Sequence, residues 1–198
     1  MFNSLFVEKY RPSTLDDIIL TDENYAVFNQ FKNQEEIPNL LFAGAPGIGK
    51  TSLAKIIVKD LIVCDYIYIN ASDENDIETI RTKCIQYAKQ RPKKGKINVI
   101  ILDECDGLMQ ESQRALRNII EEYSRTTRWI LTCNYIHRII PALQSRCQSY
   151  DLTPPVLEVV KRCADILNFE KITLTEDNRD YFIKLIKNTY ASGFPDRI

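Results

Sequence analysis

Gly44-Ala45-Pro46-Gly47-Ile48-Gly49-Lys50-Thr51 is the stretch that decides the fold of this chain. It fits G-x-x-x-x-G-K-[ST] at every fixed position. An apolar run, Leu40-Leu41-Phe42-Ala43, comes before it. After it, Ser52 to Leu61 carries Leu53, Ala54, Ile56, Ile57 and Leu61 at helical spacing. A strand, a glycine loop and a helix in that order make a phosphate cradle. The glycines let successive backbone N–H groups turn inward, and the helix N-terminus adds partial positive charge. In such a loop Lys50 reaches the β- and γ-phosphates and the Thr51 hydroxyl ligates Mg²⁺. Gly44, Ala45, Pro46, Gly47, Ile48, Gly49 and Ser52 complete the nucleotide-binding candidates.

A second apolar run, Val99-Ile100-Ile101-Leu102, ends in Asp103-Glu104. Strand C-termini line the ligand crevice of open parallel sheets. Asp103 therefore reads as the Mg²⁺ carboxylate and Glu104 as the base for an attacking water. Asn134 ends the next apolar run, Trp129 to Cys133, where a neutral amide suits a γ-phosphate or that water. Arg146 opens a final strand; a cation there matters because phosphoryl transfer gains from an added arginine.

Strands and helices alternate, which predicts an α/β fold with a parallel sheet. The expected strands are 39–43, 66–70, 97–102, 129–133 and 147–151, apolar enough to be covered on both faces. The expected helices are 23–32, 50–61, 76–91, 110–123 and a short 141–145. Thr153-Pro154-Pro155 breaks the alternation, and 156–167 and 176–188 read as helices with no strand between them. That divides the chain into 1–152, an α/β domain, and 153–198, a small all-helical domain.

The composition suits a globular chain: 44% hydrophobic, 27% charged, with no apolar stretch near the ~20 residues of a membrane span. The N-terminus lacks the basic and apolar segments of a signal peptide. Six cysteines without a C-x-x-C pair read as buried reduced thiols of a cytosolic protein, not a zinc site. The net charge of −1 hides an uneven distribution. Residues 79–102 hold no acid but carry Arg81, Lys83, Lys89, Arg91, Lys93, Lys94 and Lys96. Residues 123–150 hold no acid but carry Arg125, Arg128, Arg138 and Arg146. Such asymmetry fits either one surface facing a polyanion or solvated helix and loop faces.

Val7-Glu8-Lys9-Tyr10-Arg11-Pro12 adds a more specific signal. It is followed by the loop at 44–51, Ala71-Ser72-Asp73-Glu74, Asp103-Glu104-Cys105-Asp106, Glu111-Ser112-Gln113-Arg114-Ala115-Leu116-Arg117, Thr132-Cys133-Asn134 and Gln144-Ser145-Arg146-Cys147. In this order the motifs resemble those of sliding-clamp loader ATPase subunits of the AAA+ family, as in replication factor C small subunits and large-tailed-phage loaders. The resemblance implies a P-loop AAA+ domain with a five-stranded parallel sheet, then a helical lid that is incomplete here. It implies ATP and Mg²⁺ as cofactors, and other loader subunits in a ring, a sliding clamp and primer–template DNA as partners. It implies a site in the cytoplasm, in the nucleus of a eukaryote, or in the host cytoplasm for a phage.

The same resemblance places Val7, Arg11 and Ile19 around the adenine and phosphates. It makes Asn134 the first sensor, Arg146 a finger reaching a neighbouring subunit's ATP, and Arg81 a contact to the DNA backbone. Two departures stand out. Cys105 replaces the alanine of the family's D-E-A-D box. Arg197 stands one place earlier than the family's second sensor arginine, and the sequence ends without the helical collar that joins such subunits. The alternatives are a non-hydrolysing scaffold subunit of the same assembly and a related branch-migration or unwinding motor.

Overall fold

Side chains alternate along the central strands, and each face of the sheet takes its own share. In β1 (Leu40–Ala43), Leu40 and Phe42 enter one apolar cluster while Leu41 and Ala43 enter another. β3 (Asn98–Asp103) divides likewise, Val99 and Ile101 against Ile100 and Leu102. β4 (Thr127–Cys133) sends Ile130 to the first cluster and Trp129, Leu131 and Cys133 to the second. With both faces covered, no polar face remains, so these strands read as unbroken apolar runs.

The computed structural model describes residues 5–73 and 77–191. β2 (Asp65–Asn70) and β5 (Gln148–Asp151) complete a five-stranded sheet of order β2-β3-β4-β1-β5, parallel at every pairing. α1 (Phe6–Lys9) precedes the sheet. α2 (Asp22–Gln30) and α3 (Lys50–Ile56) supply the first cluster with Phe28, Leu53, Ala54 and Ile56. α4 (Ile77–Ala88) and α5 (Gln110–Glu122) supply the second with Ile80, Cys84, Leu116, Ile119 and Ile120. Fully burying one such side chain contributes about 1.5–3 kcal/mol. α6 (Pro141–Gln144) starts on a proline, whose missing N–H costs nothing in a first helical turn.

Three sequence expectations change. The helix expected over 50–61 stops being α-helical at Ile56 and closes with a π-helical turn, Ile57–Leu61, where the Ile62 N–H donates to the Ile57 carbonyl at 3.0 Å. The wider turn keeps Ile57, Val58 and Leu61 all in the core. The helix expected over 76–91 ends at Ala88, before a loop that carries Pro92. β5 is not a strand covered on both faces: Gln148, Ser149 and Asp151 are exposed. It is an edge strand, paired to β1 alone.

After the sheet come α7 (Val156–Phe169) and α8 (Glu176–Ala191). The start of the chain reaches this pair. Lys9 Nζ and Tyr10 Oη both donate to Glu170 Oε1, at 2.5 and 2.6 Å, and the Tyr10 ring stands edge-on to Phe169.

Candidate functional site: a phosphate loop at the strand C-termini

β1, β3 and β4 are neighbours, so the residues that follow their C-termini meet in one place. The loop after β1 bends through Gly44, Gly47 and Gly49, all at positive φ. At Gly44, φ 140°, the backbone conformation favours glycine, and a Cβ would also displace the end of the Ile48 side chain.

Lys50 opens α3 yet is only 7% exposed. Its ammonium donates to the Gly44 and Ala45 carbonyls and to Asn134 Oδ1, each at 2.8 Å. All three acceptors are neutral. Burial lowers the Lys50 pKa, against the opposing pull of Cys133, Asp103, Asp106 and Glu104. A buried ammonium on neutral oxygens is suited to an incoming anion.

Asp103 ends β3 and is 6% exposed. Thr51 Oγ1 lies 2.8 and 3.0 Å from its two oxygens, Tyr68 Oη donates to Oδ2 at 2.8 Å, and Thr132 Oγ1 donates to Oδ1. Thr132 Oγ1 also accepts the Glu104 N–H at 3.0 Å. Glu104 itself adopts the left-handed conformation, φ 57°, uncommon away from glycine. That turn carries its side chain out of the strand into an exposed position. Asp106 Oδ2 accepts the Tyr135 N–H at 3.2 Å and so anchors the residue next to Asn134.

Phosphate and Mg²⁺ both fit these residues. The Thr51 hydroxyl and Asp103 carboxylate are hard oxygen donors of the kind Mg²⁺ takes. Lys50 and the loop amides supply the positive side.

The structure therefore brings together Gly44, Ala45, Lys50, Thr51, Asp103 and Asn134, with Glu104 beside them. Ile48 and Gly49 lie in the same loop. Near it, in the N-terminal segment that carries Ile19, the Ile18 Cγ2 is 4.0 Å from where a Gly49 Cβ would stand. Val7 is exposed and the Arg11 guanidinium pairs with Glu8 at 2.7 Å. Arg197 lies outside the described residues, as does Glu74.

Arg146 is elsewhere. Gln148 pairs with Leu40, so Arg146 lies level with Pro38, about 20 Å down the strand from Gly44. Its guanidinium holds Glu121 Oε1 of α5, through Nε at 2.8 Å and Nη2 at 2.6 Å. Such a distance removes it from its own loop.

The acid-free stretch 79–102 does not form one surface. Arg81, exposed early in α4, pairs with Glu78 at 3.5 Å. α4 then runs back along the sheet, so Lys93, Lys94 and Lys96 lie at the N-terminal end of β2 and β3. There the Lys93 and Lys94 N–H groups donate to Asp65, and the Lys96 ammonium pairs with Glu35. The cysteines are free: Cys64, Cys84, Cys105 and Cys133 are buried, Cys147 and Cys163 half-buried. Cys105 fills its place with no exposed surface and points its Sγ at the Leu102 carbonyl, 3.0 Å away. Burial pushes the Cys133 thiol up to about 12.

Sequence reading missed three contributors. Tyr68 and Thr132 hold Asp103: Thr132 stands in the Thr132-Cys133-Asn134 motif, where only Asn134 was given a role, and Tyr68 stands in no motif. Gln113, 1% exposed, donates to the Leu108 and Arg138 carbonyls at 3.0 Å and accepts the Ile140 N–H at 2.8 Å. A glutamine on the face of α5 that also carries Leu116 and Ile120 was the available signal.

Comparison with known proteins agrees with this geometry. Residues 40–154 match the family described as "ATPase family associated with various cellular activities (AAA)". The chain is 40% identical to the replication factor C small subunit of Archaeoglobus fulgidus, over 96% of this chain and 59% of that protein. It is 39% identical to human replication factor C subunit 5, over 92% of this chain and 56% of that protein. The chain thus spans little more than half the length of these relatives. Among solved structures, the Thermotoga maritima RuvB Holliday junction branch migration motor superposes with a TM-score of 0.60 at 22% identity, over 80% of this chain and 55% of that one. That likeness speaks for the fold.

Proposed function

This chain belongs to the AAA ATPase family, and from that premise we propose that it is the nucleotide-hydrolysing part of a sliding-clamp loader subunit. The observation that carries the reading is 40% identity to a replication factor C small subunit over nearly the whole chain. In this reading residues 1–152 bind and hydrolyse ATP, and 153–198 begin a helical lid to which Arg197 belongs. The assembly is a ring of such subunits that opens a clamp and sets it on primer–template DNA. It works in cytoplasm, nucleus or host cytoplasm, according to its source. No helix among the described residues is long and apolar enough to cross a membrane.

The geometry supports the roles of the loop residues, and the family resemblance those of Arg146 and Arg81. Lys50 exchanges two carbonyls and an amide for phosphate oxygens, a stronger charge-assisted set. That releases Asn134 to bond the γ-phosphate or orient the water. Mg²⁺, when bound through Thr51 and Asp103, neutralises phosphate charge. Glu104 accepts the water proton as the oxygen attacks the γ-phosphorus and the bond to the ADP oxygen breaks. Arg146, too far from its own loop, serves the neighbouring subunit's ATP. Arg81 contacts the DNA backbone.

Intact Lys50, Asp103 and Glu104 disfavour the non-hydrolysing scaffold. The branch-migration reading has fold likeness alone behind it. The test uses Glu104→Gln in the full-length protein with its sliding clamp and partner subunits. The variant is expected to bind ATP and retain the clamp without turnover. Wild-type hydrolysis by that variant removes Glu104 as the base. A wild-type assembly that shows no ATP-dependent hold on a clamp removes the loader reading.

A further inference from the structure

We infer that Tyr68 is a positioning residue for the metal-binding carboxylate, fixing Asp103 through its hydroxyl. The inference rests on the nucleotide-site reading above and deepens it.

Tyr68 lies on β2, next to β3, level with Ile101. Its hydroxyl crosses to Asp103 Oδ2 at 2.8 Å. The ring is itself held: Lys55 of α3 sets its ammonium over it, 4.3 Å from the centroid. A cation on the ring face and a carboxylate on the hydroxyl fix both ends of the side chain. Yet Tyr68 is 39% exposed, more than packing alone asks of a large aromatic residue. A tyrosine hydroxyl, with an ordinary pKa of about 10, is a donor at neutral pH.

The donors on Asp103 differ in what happens on ligand binding. Thr51 spans both oxygens, and its hydroxyl is the one required for the cation. Once Thr51 turns away, Thr132 stays on Oδ1 and Tyr68 on Oδ2. One donor per oxygen sets the plane of the carboxylate and leaves each oxygen a lone pair for a metal ion or its water. Partners that orient a metal-binding carboxylate commonly shift metal affinity 10–100-fold. Thr132 lies on the neighbouring central strand and is buried. Tyr68 reaches in from the edge strand, so its loss leaves Oδ2 without a fixed partner.

Tyr68→Phe removes the hydroxyl and keeps the ring under Lys55. Tyr68→Leu removes both. The experiment titrates ADP into the wild type and each variant, with excess Mg²⁺ and with a chelator, and reads the ratio of the two affinities. In both variants that Mg²⁺-dependent gain is expected to fall about tenfold, with Mg²⁺-free ADP affinity unchanged. Thermal unfolding without ligand verifies that the variants fold. An undiminished gain in Tyr68→Phe overturns the inference, as does an equal loss with and without Mg²⁺, which marks a merely structural role. A loss confined to Tyr68→Leu overturns it in favour of the ring. A wild type that binds no ADP, or gains nothing from Mg²⁺, defeats the nucleotide-site reading and this inference with it.

Discussion

The two ends of the sheet hold their charges in opposite ways. At the C-terminal end, Lys50 and Asp103 are each over nine-tenths buried, and their partners are hydroxyls, carbonyls and an amide. At the other end Arg146 meets Glu121 with 46% and 37% of the side chains exposed. Lys96 with Glu35 is of the same solvent-facing kind. A buried polar group left alone is costly, so the first end is a closed network in which each member depends on the others. An exposed ion pair contributes 0–1 kcal/mol, so the second end is free to exchange partners at little cost. In the proposed reading the buried end receives the nucleotide and the exposed end a neighbouring subunit.

The largest test of that contrast is Arg146→Ala in a full-length ring. Hydrolysis is expected to fall about 10³-fold or more, with each subunit's own ATP affinity kept. Mixing this variant with Glu104→Gln is expected to restore part of the activity, because some interfaces then join an intact base to an intact arginine. Mixed rings without recovered activity break the assignment of Arg146 to a neighbour.

At the buried end, Lys50→Ala is expected to weaken nucleotide binding about 100-fold, as two or three kcal/mol of charge-assisted hydrogen bonding disappear. Calorimetric titration measures it, and near-normal affinity breaks the phosphate-loop assignment.

Gln113→Ala strips partners from the Leu108 and Arg138 carbonyls and the Ile140 N–H. It is expected to cost about 2–3 kcal/mol in urea unfolding. A loss below about 0.5 kcal/mol shows that water replaces the glutamine, and the buried network is then less closed than its geometry.

Lys50 also has a pH signature. Its folded pKa lies below the unfolded value of 10.5, so the unfolded chain binds more protons between the two. Wild-type stability relative to Lys50→Met therefore rises as pH climbs toward 10.5. Parallel urea curves at pH 7 and pH 10 contradict a buried, desolvated ammonium.

The smallest effect belongs to the exposed end. Glu121→Gln is expected to change stability by no more than about 0.5 kcal/mol, because the pairs it breaks, with Arg146 and Arg117, are screened by water. A loss of 2 kcal/mol makes Glu121 a structural clamp on Arg146 and erases the difference between the two ends.

What the sequence determined by itself was local and periodic. The glycine loop, the carboxylates after Leu102 and the apolar runs follow from short-range spacing. With them came the sheet, its central strands and most of the phosphate site. The exposed β5 was misread because being at an edge depends on which strands pair, which no segment carries in its own pattern. The π-helical turn at Ile57–Leu61 was missed because its cause is the core that Ile57, Val58 and Leu61 must reach together. Tertiary structure alone decided that Tyr68 and Thr132, from two different strands, meet on Asp103, and that Gln113 bridges three backbone groups. It alone placed Arg146 about 20 Å from Gly44, since strand register converts sequence positions into distances. It also divided the basic stretch between two ends of the sheet, because a helix that runs back carries neighbours in sequence apart in space.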